Sequence, residues 1–593
     1  MTPEHESQVP GFFFPINRFP RPSLAEWLCL VAGLYLTFHY FWFMDDAYVY
    51  FRYVDNFVHL GLGLVYNHGE FVEGYSSPFW ALLLSALRFA GLDFQVITLG
   101  IGSACVIFFW ACGVIVNRSL SPDTTRIVNF PLLFLMLNYA VLSYFTSGLE
   151  TPLVQASAAA YALFALYPAS GVLQILLGFT PVIRPEFAVP FAIAMLWAVV
   201  RTRKIPWLAV GTSLIAVGGW EAFRVYYYAD LFPNTFYLKN ETNYAQGLVY
   251  LWDTFGPYHV VGLTLFVAGM GALAKWIGGD ATRLSVVDRF AILAMAGAVG
   301  FYSIKIGGDP RHYRYLAFPL CLGVMALGGL PEHLLEAWAV NRDGPRVAAL
   351  LKLVRYAQGP LVIGGAGWIS FKAFSSGFPN IPSLIVLYVY IVGVLALTNR
   401  WIGFRPALIA GLAWISLASY PRQLNRHPFG FEEGHREIEK INDASVHRDH
   451  TQLNWAERER LYEEYGERHP EFVYESVLES GYCGGNYMAF YQQIVQWYGL
   501  TEPVLARTEM KSDRTAHKEG LKPLANHLRN LYESYEPERG RFRRAVDEDA
   551  AEDWVEANLA TLELIERKMF NRHDWRENWE LATKKIGRID LGG

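Results

Sequence analysis

Long apolar runs separated by short polar loops dominate the chain from Leu24 to Tyr420. A helix needs roughly 20 mostly apolar residues to cross about 30 Å of hydrocarbon. This pattern therefore predicts an all-α polytopic membrane protein. The runs that meet or approach the required length are Leu24–Met44, Val96–Val116, Pro206–Tyr228, Tyr258–Ile277, Phe290–Ile306, Pro360–Phe374 and Pro382–Thr398.

Several other apolar stretches are too short or too interrupted to be ordinary spans. Those near residues 151–167, 172–184 and 186–200 are short or contain proline, and broken helices of this kind are tolerated where they line a protein-enclosed cavity. Pro78–Gly91 is also short and carries Arg88, so we expect it to lie along the membrane surface. Counting the broken stretches, the pattern predicts about 11–13 transmembrane helices.

After Pro421 the hydrophobic pattern ends and the chain becomes densely charged. Within this region, Trp455–Gly466 and Asp553–Phe570 combine charged and apolar groups at helical spacing, and the residues between them are rich in turn formers. The final region is therefore predicted to be a mainly α-helical or mixed domain.

Composition supports a membrane protein and excludes other classes. Of the 593 residues 53% are hydrophobic and only 18% are charged, against about 25% charged in soluble domains. The net charge is −5 and no basic tract is present, so nucleic acid is not an expected partner. The five cysteines are scattered, and only Cys483 lies outside the apolar region, which leaves no disulfide framework or metal cluster.

Lysine and arginine in short loops predict the orientation of the chain, because cytoplasmic loops carry an excess of both. Arg18 and Arg21 precede the first span, which places the N-terminus in the cytoplasm. Basic loops near residues 201–204, 342–355 and 400–405 are assigned to the same side. The predicted division is a cytoplasmic N-terminus at 1–23, a transmembrane catalytic region at 24–420 with an outer loop at 45–95, and an extracytoplasmic C-terminal domain at 421–593.

Ionisable residues then cluster on the outer face. Such groups cost roughly 2.5–3.5 kcal/mol each near hydrocarbon on insertion scales, so they are functional candidates. The cluster combines carboxylates, which suit acid–base chemistry, with cations, which suit a bound phosphate. Its motifs are Asp45-Asp46-Ala47-Tyr48, Glu73-Gly74-Tyr75, Ser147-Gly148-Leu149-Glu150, Arg184-Pro185-Glu186, Pro233-Asn234-Thr235 with Lys239, and Gly307-Gly308-Asp309-Pro310-Arg311-His312-Tyr313-Arg314.

These motifs, in this order, resemble those of the GT-C superfamily of membrane glycosyltransferases, whose hallmark is an Asp-Asp pair after the first transmembrane helix. The full set resembles the branch that contains the mycobacterial terminal arabinofuranosyltransferase. The resemblance implies an inverting transfer in which an acceptor hydroxyl attacks the anomeric carbon and a polyprenyl phosphate leaves. It also implies a cell-envelope glycan or glycoconjugate acceptor, on the outer face of the plasma membrane, with arabinofuranose as the sugar in the named branch.

In that mechanism Asp45 is the preferred general base, and Asp46 orients the acceptor or helps to hold a divalent cation. General acid–base catalysis of this kind contributes roughly 10²–10⁴-fold. The alternative is structural, because an aspartate pair also caps a following helix. Carboxylates with a phosphate ligand suit Mg²⁺ or Mn²⁺ at Asp45 and Asp46, although no spacing requires a metal.

Candidates for contact with the leaving phosphate are Arg311, Arg314 and Lys239. Arginine grips phosphate through two parallel hydrogen bonds, and lysine acts as a point charge. Each could instead be a lipid-headgroup anchor. His312 could assist the phosphate or serve only in packing, and Asp309 follows two glycines that allow a tight turn.

The remaining substrate-binding candidates have structural alternatives of similar weight. Arg184 and Glu186 flank a proline in an apolar stretch, so we expect them either to form a structural salt bridge, with each other or with a neighbour, or to contact the ligand. Glu73 and Glu150 could bind sugar hydroxyls or cap short helices. The other members of this group are Tyr48, Tyr75 and Asn234.

Two alternative functions share most of these features. A lipid-linked sugar transporter or flippase would have the same spans and intramembrane charges, but it should show repeats in two halves, which are not seen. An oligosaccharide polymerase or ligase would keep the fold and use a lipid-diphosphate donor.

Overall fold

The structure is a computed structural model that describes residues 19–39, 41–44, 46–121, 129–239, 242–255, 260–278, 286–308, 314–350, 352, 477–480, 493–496, 500–508, 524, 528, 540–549 and 552–590. Several sequence predictions lie outside these residues: the spans at 360–374 and 382–398, the helix at 455–466 and Cys483.

The first part of the chain is helical, as its apolar runs predict. Its helices are α1 (Leu24–His39), α2 (Ala47–Val58), α3 (Pro78–Phe89), α4 (Phe94–Leu120), α5 (Phe130–Leu135), α6 (Tyr139–Ser143), α7 (Thr151–Leu166), α8 (Gly171–Gly178), α9 (Thr180–Ile183), α10 (Ala188–Thr202), α11 (Trp207–Tyr228), α12 (Asn234–Lys239), α13 (Tyr244–Phe255), α14 (Val260–Trp276), α15 (Val286–Lys305), α16 (Ala317–Met325) and α17 (Leu330–Val340). A 3₁₀ turn, Pro185–Phe187, joins α9 to α10.

Among the described residues, four helices are long and apolar enough to cross a membrane. They are Phe94–Leu120, Pro185–Thr202, Val287–Lys305 and Ala317–Val340. Shorter apolar helices of 10–17 residues accompany them, α1, α7 and α14 included. These helices confirm the predicted class, an all-α polytopic membrane protein. The number of 11–13 spans stays a prediction.

Local sequence signals explain where the helices begin. A capping box opens α1: the Ser23 amide donates to Glu26 Oε2 at 2.7 Å, and the Glu26 amide donates to Ser23 Oγ at 3.3 Å. Ser77 caps α3 by accepting from the Trp80 amide at 3.3 Å, and Pro78 occupies the first turn, where its missing N–H has no cost. At 27 residues α4 is about 40 Å long, enough to cross the hydrocarbon core.

The broken stretches after residue 150 surround the centre of the membrane region. α7 is buried along nearly its whole length and packs against α4, α8 and α16. Two short helices, α8 and α9, replace a single span between residues 171 and 183. The break matches the prediction for residues 172–184. For residues 186–200 the expectation of a short stretch is wrong, because the 3₁₀ turn at Pro185–Phe187 runs on into α10 and gives 18 continuous residues, long enough to span a membrane.

The predicted surface segment at Pro78–Gly91 forms α3, which at 12 residues is too short to cross a membrane. Its charged residue Arg88 is buried and donates to Asp55 of α2 at 3.1 Å. The guanidinium also lies over the ring of Phe94, 4.7 Å from the ring centre. Arg88 thus joins α3 to α2, and the pairing removes the cost of an isolated buried charge.

The described part of the C-terminal region is mixed, with more helix than strand. A short parallel pair, β1 (Val477–Ser480) and β2 (Gln493–Gln496), aligns Val477 with Gln493 and Ser480 with Gln496. The helices are α18 (Pro503–Arg507), α19 (Arg541–Asp547), α20 (Asp553–Met569) and α21 (Trp575–Thr583).

This region packs directly on the loop between α2 and α3. Val72 of that loop enters the apolar core formed by α18, α19 and α20, next to Val504 and Met569. Burial of one valine is worth roughly 1.5–3 kcal/mol. The Phe71 amide donates to the Met569 carbonyl at 2.8 Å, and Asn67 exchanges two hydrogen bonds of 2.9 Å with the backbone of Ile494. The C-terminal region therefore forms a cover over the loop that carries Glu73 and Tyr75.

Candidate functional site

The Asp-Asp motif lies at the start of α2, where Asp46 is the residue before the helix. Its carboxylate forms an ion pair with Arg314, with 2.6 Å between Asp46 Oδ2 and Arg314 Nη2. Both side chains are mostly buried. The first and last motifs of the predicted outer cluster are thus joined across the fold. Asp45, Asp309, Arg311 and His312 lie outside the described residues.

Arg184 is the centre of a buried charge triad. Arg184 Nη1 is 2.5 Å from Glu150 Oε1, and Arg184 Nη2 is 2.5 Å from Glu186 Oε1. Glu150 precedes α7, but its side chain binds Arg184 and also accepts from the Tyr50 hydroxyl at 3.4 Å instead of capping the helix. The predicted Arg184–Glu186 salt bridge is present, with Glu150 as a second partner.

Glu73 belongs to a second buried ion pair. Its carboxylate accepts from the guanidinium of Arg224 in α11 and from Trp220 Nε1, the latter at 3.1 Å. Arg224 also pairs with Glu221 one turn earlier. Burial raises the pKa of Glu73, and the nearby Arg224 opposes that rise. The sequence reading missed Arg224, although a lone arginine inside an apolar run is a signal for a buried partner.

A cavity of about 340 Å³ lies between these two clusters. Cations of four different elements line it, accompanied by two carboxylates and several apolar and aromatic groups. The charged lining residues are Arg184, Glu186, Glu221, Arg224, Lys239 and Lys305. The aromatic lining residues are Trp220, Phe232, Phe236, Tyr302 and Tyr315.

The charges of the lining are not equally available to a ligand. Each arginine already has two carboxylate partners. Lys239 donates instead to the Tyr315 hydroxyl at 3.1 Å, and among the described residues neither Lys239 nor Lys305 has a carboxylate at ion-pair distance. The two lysines therefore supply the positive charge that an anion in the cavity would meet. Lys305 directly precedes Ile306-Gly307-Gly308, and this position beside a recognised motif could have identified it.

Tyr315 connects the aspartate pair to the cavity. Its ring lies under the Arg184 guanidinium, 4.9 Å from its centre, and the neighbouring residue is Arg314, the partner of Asp46. Asp46 is therefore linked to the cavity wall through Arg314, the sequence neighbour of the lining residue Tyr315.

A second, almost wholly apolar cavity of about 530 Å³ adjoins the first. The two share the lining residues Pro78, Val182 and Trp220. The apolar cavity is otherwise lined by residues such as Phe57, Phe79, Leu82, Phe179 and Phe223. Such a surface accepts hydrocarbon and offers nothing to a charged or hydroxylated group.

The C-terminal region supports one wall of the charged cavity through Arg507. Arg507 Nη2 lies 2.8 Å from Asp230 Oδ2, and Arg507 Nη1 donates to Asn234 Oδ1 at 3.0 Å. Its guanidinium also covers the ring of Tyr237, 3.9 Å from the ring centre. Asn234 begins α12 and Lys239 ends it, so Arg507 holds the helix that carries a cavity lysine.

The remaining predicted residues pack against other protein groups near the site. Tyr48 is buried with its ring edge-on to Phe43 and Phe51. The Tyr75 hydroxyl lies 2.9 Å from that of Tyr228, close to the Glu73–Arg224 pair. Tyr48, Tyr75 and Asn234 therefore contact protein groups instead of lining the charged cavity.

A divalent metal finds little support among the described residues. No group of three or more His, Cys, Asp or Glu side chains there could hold one, and Asp46 is engaged by Arg314. The cysteines described, Cys29, Cys105, Cys112 and Cys321, are all free and buried. Participation of Asp45 and Asp46 in metal binding stays a prediction.

Fold and site together define a polytopic membrane protein with a charged cavity beside an apolar one. The chain is 27% identical over 380 residues to the terminal beta-(1->2)-arabinofuranosyltransferase of Mycobacterium tuberculosis. The aligned region covers 57% of this chain and 59% of that protein. It is 25% identical over 347 residues to the protein of the same name from Corynebacterium glutamicum, covering 50% and 49% respectively.

These similarities confirm the relationship to the arabinofuranosyltransferase branch that the motifs predict. The chain spans only about half to three-fifths of the length of these curated relatives. No family model matches the chain, and no solved structure matches it.

Proposed function

We propose that this protein is an inverting glycosyltransferase that moves a sugar from a polyprenyl-phosphate donor to a cell-envelope glycan or glycoconjugate. The observation that carries the proposal is the pairing of two adjoining cavities, one with lysines and one of hydrocarbon character. A polyprenyl phosphate has the same two parts, joined at the same point.

The donor phosphate is assigned to the charged cavity. Cleavage of the glycosidic bond leaves negative charge on the phosphate oxygens, and Lys239 and Lys305 line the cavity without carboxylate partners among the described residues. Cations placed where charge develops lower the barrier, most of all in a site that excludes water. Arg184 and Arg224 shape the wall while their own charges are balanced.

The isoprenoid chain is assigned to the apolar cavity. It adjoins the phosphate position across Trp220 and Pro78, and its volume of about 530 Å³ matches a few isoprene units. A donor with a soluble leaving group such as a nucleotide would leave this surface unused.

The acceptor is activated by the aspartate pair. Asp46 is engaged in an ion pair with Arg314, and we assign it to orienting the acceptor hydroxyl. We therefore assign the general base to Asp45. The hydroxyl oxygen bonds to the anomeric carbon from the face opposite the phosphate, the carbon–phosphate-oxygen bond breaks, and the proton passes to the base. This single displacement inverts the anomeric centre.

The names of the curated relatives favour arabinofuranose as the sugar. The distribution of basic loops favours an active site on the extracytoplasmic face of the plasma membrane.

The test is a transfer assay with the full chain in nanodiscs. Polyprenyl-phosphate arabinofuranose, mannose and glucose are each presented to the wild type, to Asp45→Asn and to Asp46→Asn. We expect transfer from one monophosphate donor, with Asp45→Asn reduced by about 10²–10⁴-fold because the base is lost.

Two outcomes would contradict the proposal. If wild-type protein binds lipid-diphosphate sugars and transfers nothing from any monophosphate donor, the polymerase, ligase or flippase alternatives gain support. If Asp45→Asn retains full activity, the base lies elsewhere and Asp46→Asn becomes the decisive variant.

A further inference from the structure

The helix α11, which the hydrophobic pattern predicts to be a membrane span, has a stripe of exposed apolar side chains. Leu208, Ile215 and Tyr226 are spaced i, i+7 and i+18, which places them on one line of a helix with 3.6 residues per turn. They are 41%, 79% and 41% exposed. In a membrane protein such a stripe faces lipid, and Tyr226 marks its end far from the basic loop at 201–204.

The C-terminal helix α21 packs across this end of α11. Asn578 of α21 is buried and donates to the Tyr226 carbonyl at 2.7 Å, and Leu581 and Ala582 are buried beside it. The Trp575 ring stacks on the Tyr226 ring at 6.4 Å and 25°. The exposed side of α21 therefore continues the stripe of α11 that faces lipid.

Two large apolar side chains stand on that side of α21. Trp575 and Trp579 are one helical turn apart, and 49% and 51% of their surfaces are exposed. Together with Tyr226 they form what we call the aromatic face. Tryptophan and tyrosine combine an apolar ring with a polar atom, which is why they concentrate where membrane meets water.

Basic residues flank the tryptophans of the aromatic face along the chain. Exposed positive charges in this part of the chain are Arg572, Arg576, Lys584, Lys585 and Arg588. The acidic residues between them, Asp574, Glu577 and Glu580, are fewer. An excess of exposed cations at a membrane boundary attracts anionic lipid headgroups.

We propose that α21 is an interfacial membrane anchor, with Tyr226, Trp575 and Trp579 inserted among lipid headgroups and the surrounding basic residues bound to anionic lipid. Continuity with the lipid-facing stripe of α11 makes lipid the occupant in preference to a second protein. The anchor fixes the C-terminal region to the membrane beside the α2–α3 loop that it covers. This inference does not depend on the proposed glycosyl transfer.

Spin labels on single cysteines test the anchor in nanodiscs made from anionic lipid. Trp579→Cys and, separately, Trp575→Cys report the aromatic face, and Glu580→Cys on the water side of the same helix is the matched control. At 575 and 579 we expect oxygen to relax the spin label more strongly than a water-soluble nickel complex does. At 580 we expect the nickel complex to relax the label more strongly than oxygen does.

Equal access of the nickel complex to 579, 575 and 580 would overturn the proposal and leave the aromatic face open to a protein partner. Repeating the measurement in zwitterionic lipid tests the electrostatic part. In zwitterionic lipid we expect the nickel complex to reach the label at 579 more readily. We expect the same increase in anionic lipid when Lys584 and Lys585 are both replaced by glutamine. Unchanged access in both cases would show that the basic residues have no part in binding.

Discussion

Two charge clusters of the protein are built differently. The cavity cluster consists of Arg184 and Arg224 with Glu73, Glu150, Glu186 and Glu221. It has four carboxylates for two arginines. The docking cluster consists of Asp230 with Arg507 and Lys568, and it has one carboxylate for two cations.

The different ratios of carboxylates to cations correspond to different roles of the two clusters. In the cavity cluster the arginines are fully compensated by residues from the first half of the chain, so the lysines of the cavity are left to meet a ligand. In the docking cluster the carboxylate of Asp230 pairs with both Arg507 and Lys568. These two ion pairs attach the C-terminal region to the end of α11. One cluster shapes a site and the other holds a cover in place.

The largest effect is expected in the cavity cluster. Arg184→Met removes the partner of two buried carboxylates, and breaking a buried ion pair in this way costs about 3–5 kcal/mol. Thermal unfolding in detergent should show this loss of stability. Arg567→Met, at an exposed pair with Glu577, is the control and should cost no more than about 1 kcal/mol. Equal stability of the two variants would show that the triad is not structurally important.

The pH dependence of the cover is the next largest effect. Burial raises the pKa of Glu70 to about 7 from its usual 4.5, opposed by Arg541 and reinforced by Glu502. Because the docked state holds the proton more tightly, the stabilisation is complete below pH 4.5 and is lost as the pH rises through 7. The shift corresponds to about 3 kcal/mol.

Hydrogen exchange of α20 checks this effect. Protection in the wild type should fall between pH 5 and pH 8, after correction for intrinsic exchange rates. Glu70→Gln should remove that dependence, whereas Glu563→Gln, whose carboxylate pairs with exposed Arg543, should keep it. A pH dependence that survives Glu70→Gln would assign the titration to another group.

Arg507→Met should loosen the docking cluster by about 2 kcal/mol, because Asp230 loses a charge-assisted hydrogen bond and retains Lys568 and Tyr237. Exchange should accelerate in α18 and α12 while α4 and α7 stay protected. Arg543→Met, at an exposed pair, is the control. Uniform destabilisation of the membrane helices would contradict the separation of the two clusters.

The smallest effect on stability is expected for Lys239→Met. Its ammonium contacts Tyr315 and no carboxylate among the described residues, so unfolding should hardly change. Donor binding should weaken about tenfold through loss of one charge-assisted contact to phosphate. Lys204→Met, an exposed lysine in the basic loop, should leave binding unchanged. Unaltered donor affinity in Lys239→Met would remove Lys239 from the phosphate site.

The hydrophobic pattern alone predicted the fold class, because the length of an apolar run and the thickness of a bilayer are both fixed quantities. It also predicted the break between residues 172 and 184, and the salt bridge of Arg184 with Glu186, two positions away. These are local properties, because each depends only on residues that are close together in the sequence. The motif order likewise indicated the relationship to the arabinofuranosyltransferases.

Partners distant in sequence could be found only in the folded chain. Nothing in the pattern around Glu73 points to Arg224, nothing near Asp46 points to Arg314, and Asp230 meets Arg507 from the other end of the protein. A buried charge requires a counter-charge, but any of many arginines could satisfy that requirement until packing selects one. The same holds for the apolar cavity, since several helices line it together and no single segment of sequence does so.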